Sequence, residues 1–463
     1  MFVPTLRGVE DIWVGNDTMT INHASTTLGL IFVATVAVAT PAVSADLGGD
    51  CCADLEERVA ELEATTARKG NRKVSLTISG YVAQEITVWD DGGESNAYVH
   101  GLGPTQSTHV KLNGQATIVP GWTAGYMLRI QDLTGNAFSG NGDPINQFNA
   151  TKNDNLNTQM SFWYLQSKEF GKVSVGRQAH AAKSAAMFTD LSGTQILDNY
   201  TFLDGFPQFR LRSGTTGALH PALTWGNMGF CYSQQAPLGG DCNGIVMNGV
   251  RYDTPTFAGF SASASWGEDD FWEIAGRYAG EVAGFKVALS VGYSENSDEN
   301  AAIAGPPGSG IMFSIDHKNS SYFQVGGYIQ HLASGLFLHG AYGSEDNDDA
   351  TLVRSTGGTR VLPDSEHYYV KAGIRQKWLP FGATVVYGDY ARYIDQMGPG
   401  ALFAGATGSE FDRFGGGIAQ EIDAASMTLY LKYQHYEGEL DGVAALTDIE
   451  DADFVSFGGL IAF

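Results

Sequence analysis

Residues 453–463 read Asp-Phe-Val-Ser-Phe-Gly-Gly-Leu-Ile-Ala-Phe. Val455, Phe457, Ile461 and Phe463 fall at every second position, while Ser456, Gly458 and Ala462 fill much of the other phase. A period of two marks a β-strand whose faces meet different surroundings. One such strand fits a half-buried soluble sheet. It also fits a membrane barrel, whose strands meet lipid on one side and the lumen on the other. Recurrence of the pattern decides between them.

It recurs from Lys73 onward. In 74–88 the apolar residues Val74, Leu76, Ile78, Val82, Ile86 and Val88 alternate with Ser75, Thr77, Ser79, Glu85 and Thr87. The same phase logic returns in Val110, Leu112, Ala116, Ile118, in Tyr126, Leu128, Ile130, in Phe285 to Tyr293 and in Met427 to Tyr433. Trp122, Trp266, Trp272 and Trp378 lie on the apolar phase near strand ends, where interfacial aromatic girdles sit. Composition agrees: 59 of 463 residues are Gly and only 17% are charged, against roughly 25% charged in a typical soluble domain. No apolar run reaches the length of a membrane helix.

Connection lengths alternate too. Short turns such as Pro120-Gly121, Lys168–Gly171 and Asp423–Ala425 face longer acidic segments at 133–156, 295–320, 344–365, 394–409 and 438–452. Short periplasmic turns opposite long external loops are the bacterial barrel pattern. Strand-like segments number seventeen if 220–230 is included, and an odd number leaves the two chain ends on opposite sides. Working inward from both ends leaves nothing between 172–178 and 246–254 that can span. The sequence therefore predicts an all-β, sixteen-stranded antiparallel transmembrane barrel over 73–463, with about 179–245 folded inward as a constriction.

Two segments precede the barrel. Residues 28–39 are strongly apolar and lead to Ala-Val-Ser-Ala at 42–45, the pattern of a signal peptide cut after Ala45. Arg7 is the one base in this leader, so Met19 is an alternative start. Residues 46–72 hold a short helix with Leu55, Val59 and Leu62 on a coiled-coil seam. It is too short to stand alone in water, so it packs on sister copies or on its own barrel. Cys231 and Cys242, eleven apart, are candidates for a disulfide in an exported chain. The pairing of the adjacent Cys51 and Cys52 stays open. No motif asks for a cofactor, a catalytic centre or a metal. A formal charge of −24 speaks against a nucleic-acid partner.

The candidate site follows from strand phase. Eleven of the 27 bases fall on the polar, lumen-facing phase: Lys111, Arg129, Arg251, Arg277, Lys286, Lys371, Arg375, Lys377, Arg392, Arg413 and Lys432. A charge facing lipid near the midplane costs about 2–4 kcal/mol. Asp190, Asp198 and Asp204 lie in the inserted segment. Acids on the segment opposite bases on the wall predict a transverse field that filters solutes by charge. Strict alternation leaves Arg177 ambiguous. The net charge suggests at most a weak cation preference.

Cys52–Asn71 followed by Lys73–Gly80, together with Gly-Lys-Val-Ser-Val-Gly-Arg-Gln (171–178), Arg-Tyr-Asp-Thr-Pro-Thr-Phe-Ala-Gly-Phe (251–260) and Gln-Glu-Ile-Asp-Ala-Ala-Ser-Met (420–427), resemble the alphaproteobacterial general porin family. The chain's end on Phe463 resembles the strand that barrel-assembly machinery reads. The resemblance implies a homotrimer in outer-membrane lipid, passing ions and small hydrophilic solutes past an infolded loop. Two other readings are an adhesive or envelope-tethering barrel and, further off, a lipid hydrolase using His331 or His435 on the outer face.

Overall fold

The structure, a computed structural model, describes residues 74–103, 106–132, 156–199, 208–234, 236, 239–243, 246–268, 270–297, 300–304, 311–316, 319–348 and 350–463. The signal peptide, Cys51, Cys52, the seam Leu55, Val59, Leu62, and Asp204 lie outside the described residues.

Sixteen antiparallel strands close on themselves. They run Ser75–Asp90, Ser95–His100 continued by His109–Val119, Trp122–Asp132, Leu156–Ser167, Gly171–Ala179, Val246–Asp253, Phe260–Gly267 and Phe271–Val282. The circuit continues through Phe285–Asn296, Ser320–His331, Leu336–Asp346, Ser365–Leu379, Gly382–Ile394, Gly408–Ile422, Met427–Asp441 and Ala452–Ala462. The first strand pairs with the last, Tyr81 opposite Ala462 and Asp90 opposite Asp453, which removes both sheet edges. Phe463 adds two backbone hydrogen bonds to Gly80, of 2.9 and 3.1 Å, at the end of the barrel where the first strand begins, here called the near end.

The second strand is broken. Its two halves pair with the first strand at Glu85↔His100 and Tyr81↔His109, so residues 101–103 and 106–108 leave the ladder. They turn inward: Leu102 is buried, and the inward-facing Tyr81 hydroxyl donates to the Gln106 carbonyl at 2.9 Å.

The outer face is apolar around the wall. Val82, Ile86, Leu165, Val250, Ile274, Leu289, Ile329, Leu338, Ile418 and Phe457 are all exposed there, as are Trp122, Trp266 and Trp378. Water-soluble monomers rarely expose contiguous apolar patches above a few hundred Å², so this surface belongs in hydrocarbon. Its far edge is marked by outward tyrosines donating to carboxylates: Tyr342 and Tyr368 to Glu366 at 3.2 and 2.6 Å, Tyr390 to Asp412 at 2.6 Å and Tyr433 to Asp453 at 2.5 Å.

The stretch 220–230 does not enter the wall. Leu219–Thr224 pairs with Arg210–Arg212 in a small sheet of its own. Beyond the far edge, Asn300–Ala304, Met312–Asp316, Thr351–Arg354 and Thr359–Val361 form a four-stranded sheet, and Pro399–Ala404 a short helix.

Candidate functional site

The infolded segment begins where Gly171–Ala179 ends and tracks along the inner wall. Its run Ala181-Ala182-Lys183-Ser184-Ala185-Ala186 carries little side-chain bulk apart from Lys183. The wall beneath is equally bare. A Cβ on inward-facing Gly292 would sit 2.9 Å from Ala182 Cβ, and one on Gly326 would sit 2.5 Å from Ala186 Cα. Backbone and wall therefore approach more closely than any side chain allows.

Polar groups hold the segment at each step. Arg251 donates to the carbonyls of Ala179 and His180 at 3.1 and 3.0 Å, and Arg277 to that of Ala181. The Ala182 N–H donates to Glu273 at 2.6 Å and that of Ala186 to Gln324 at 2.8 Å. Further round, Thr189 meets His339 at 3.0 Å, Arg375 donates to the Ser192 carbonyl at 3.1 Å, and Lys432 to that of Leu197 at 3.0 Å.

Asp190 and Asp198 are spent in contact. Asp190 and Lys371, both fully buried, pair at 3.2 Å. Lys371 also donates to the Asp198 carbonyl and lies 4.4 Å from the Tyr387 ring centre. Burial alone would raise the Asp190 carboxyl, but Lys371, His339 and Ser192 together hold it down at about 2. Asp198 accepts from Tyr387 at 2.8 Å and Gln434 at 3.1 Å. The expected field between opposed acids and bases is collapsed here into touching pairs. The same one-to-one matching joins Arg375 to Glu421, and Lys432 to Glu85 at 3.2 Å.

Residues 208–234, 236 and 239–243 fill the far half of this side. Trp225 packs tilted against Phe411 and edge-on against Tyr436, with ring centres 5.0 and 5.5 Å apart, and Phe209 edge-on against Trp89 and Phe454 at 5.1 and 5.0 Å. Each fully buried aromatic contributes on the order of 2–3 kcal/mol. Cys231 and Cys242 are joined by a disulfide inside this packing. Glu345 accepts the N–H groups of Tyr232 and Ser233 at 3.0 and 2.7 Å, and Arg212 pairs with Asp91 at 2.9 Å.

The wall from His109–Val119 to Phe285–Asn296 is different. Lys111, Arg129, Lys172, Arg251, Arg277 and Lys286 face inward and are partly exposed, as is Lys183 on the segment. Among the described residues the acids with water access on this inner face are Asp253 and Glu281; Asp241 and Glu273 are buried. Seven bases thus stand against two accessible acids. Arg129 meets His109 at 3.1 Å and is half-buried.

Two expected wall bases lie elsewhere. Arg392 faces outward, because Gly382–Ile394 turns Val385, Tyr387, Asp389, Ala391 and Tyr393 inward. It sits above the tyrosine edge, paired with Glu410 and 3.9 Å from Asp412, where water and headgroups replace hydrocarbon and an outward charge is tolerated. Lys377 shares the inward phase but stands exposed at the near rim, 3.2 Å from Asp423. Arg413 is inward and fully buried, its guanidinium 4.8 Å from the Tyr436 ring centre. Arg177 is exposed on the outer face beside Gln159.

The outward histidines complete the placement. His331 bonds Ser334 at 2.8 Å across a tight turn, and that hydroxyl also accepts the Leu336 N–H. His435 lies 2.7 Å from Asp453, at the far edge. Sequence reasoning missed the Gly292 and Gly326 track and Glu345. Glycine on an inward phase was the available signal for the first.

A model of the Gram-negative porin family matches residues 29–441. No curated protein matches the chain in sequence. Among solved structures, OprB of Pseudomonas putida is 10% identical with a TM-score of 0.50, covering 89% of this chain and 97% of its own. The anion-selective porin of Comamonas acidovorans is 16% identical with a TM-score of 0.48, over 84% and 100% of the two chains. Salmonella typhi OmpF is 13% identical with a TM-score of 0.47, over 85% and 99%.

Proposed function

This chain belongs to the Gram-negative porin family, and we propose that it is a passive diffusion channel for ions and small hydrophilic solutes whose lumen favours anions. Membership and the closed barrel make it an outer-membrane channel. The anion preference is carried by one observation: seven partly exposed bases against two accessible acids along the open inner wall.

The overall charge of −24 does not decide selectivity. At physiological salt the Debye length is about 8 Å, so exposed loop carboxylates beyond the barrel act weakly on an ion inside it. The bases of this wall face the lumen and are partly exposed to it. Asp190 is offset by Lys371 at 3.2 Å, and both it and Asp198 are buried out of contact with a passing solute. This reverses the weak cation preference that net charge suggests.

The further parts of the reading rest on sequence. They are the leader cut after Ala45, the alphaproteobacterial subgroup, the tethering or trimer-supporting helix with Leu55, Val59 and Leu62, assembly through Phe463, and a homotrimer in outer-membrane lipid. Liposome swelling tests passive transport itself. Purified protein should speed entry of small sugars and amino acids in order of size, and swelling no faster than protein-free liposomes would sink the proposal.

A further inference from the structure

We infer that the recess between the infolded segment and the near-end turn 254–259 is a subsite for small organic anions carrying a carboxylate or phosphate head and a short apolar body. This rests on the reading of the barrel as a water-filled channel.

The recess encloses about 320 Å³ and is lined by Lys183, Phe188, Arg251, Asp253, Ser263 and Arg277, among others. Its charges differ in what they have left to give. Arg251 is committed to the Ala179 and His180 carbonyls and, at 2.9 and 2.7 Å, to Asp253. Arg277 donates to Ser263 at 2.8 Å and to the Ala181 carbonyl. These two guanidiniums are fixed positive charges that also hold the segment in place.

Lys183 is the group with donors to spare. Asp241 is the acid beside it, at 3.8 Å, outside hydrogen-bond reach. The Asp241 oxygens already accept the Ser184 N–H at 2.8 Å and hydroxyl at 2.6 Å. Among the described residues the Lys183 ammonium has no hydrogen-bond acceptor, and its side chain is 14% exposed. The carboxylates nearby are likewise occupied. Asp253 is held by Arg251, by Lys172 at 3.2 Å and by Ser263 at 2.9 Å, and Glu273 by the Ala182 N–H. Lys172, Lys183, Arg251 and Arg277 against Asp241, Asp253 and Glu273 leave one positive charge in excess, and the free donors are on Lys183.

Phe188 supplies the second half of the recognition. It is 56% exposed between Met187 and Thr189, each only 3% exposed. An aromatic ring open to water beside an ammonium with unused donors matches an anion with an apolar body. The head bonds the ammonium while the body covers the ring.

The test is single-channel recording in potassium chloride with benzoate, inorganic phosphate or benzyl alcohol as probes. Benzoate should reduce the current saturably, phosphate should do so more weakly, and benzyl alcohol should not. Lys183→Gln should weaken both anions about fivefold, the worth of one unit charge at about 4 Å in water. Phe188→Ala should weaken benzoate and leave phosphate unchanged. Benzoate without saturation, or saturation untouched by Lys183→Gln, would overturn the subsite. An equal loss for both anions in Phe188→Ala would overturn its apolar half. Both variants must migrate as folded barrels in unheated electrophoresis. Failure of the channel reading would show separately, as no chloride current in any protein.

Discussion

Replacing Lys371 by Met tests what holds the infolded segment to the wall. The pair with Asp190 is 3.2 Å long and fully buried. Removing the ammonium strands a carboxylate, and breaking a buried pair from one side costs about 3–5 kcal/mol. Protonating Asp190 instead, from an ordinary value near 4, costs about 4 kcal/mol at neutral pH. The segment can also lift off, which gives up the bonds of Arg375 to Ser192, Lys432 to Leu197, and Tyr387 and Gln434 to Asp198. At about 1 kcal/mol each, that loss is of similar size. The two states should therefore coexist in Lys371→Met. Single-channel recordings should flicker between the parent level and a larger one. Asp190→Asn with Lys371→Met removes the stranded charge and should record quietly. A steady parent level in the single variant, or equal flicker in the double, would refute the reasoning.

Three further outcomes follow from the same geometry. Gly326→Val places side-chain atoms within 2.5 Å of the Ala186 backbone, so it should raise conductance by displacing the segment, whereas Gly327→Ala, one residue on and facing outward, should not. Acid should release the segment late. The Asp190 carboxyl is held at about 2, below its usual 3.8, so its contribution of about 2 kcal/mol is complete above pH 4 and fades as pH falls through 2. Recordings at pH 4 should stay steady, and Lys371→Met should grow quieter there as Asp190 protonates. Arg392→Gln should leave conductance and ion preference unchanged, since the side chain lies on the outer face; a shift in either would return it to the lumen.

The fold was legible because lipid enforces alternation on every strand, and because strand parity leaves no room for a spanning segment between Gly171–Ala179 and Val246–Asp253. Phase also separated most wall bases from the lipid face, since a charge in hydrocarbon is costly. The rule fails at Arg392, where the strand has already passed the tyrosine edge and an outward charge meets water. What alternation cannot say is what an inward residue touches. Lys371 and Arg277 share the inward face, yet one is sealed against Asp190 and the other borders open water. That difference depends on where the inserted segment lies, and its path is set by Gly292 and Gly326 on distant strands. The break after His100 left its mark as a change of phase, since Tyr98 and His100 face inward on even positions and His109 and Lys111 on odd ones.

A lumen open along its basic wall, with Asp190 sealed against Lys371 and Asp198 buried against Tyr387 and Gln434, should pass chloride in preference to potassium. The zero-current potential of the purified protein in a planar bilayer under a potassium chloride gradient tests it most directly. The account predicts a potential of the sign set by chloride, reduced by Arg129→Gln and Lys111→Gln and insensitive to Arg392→Gln. A potential of the sign set by potassium, or no conductance at all, would contradict it.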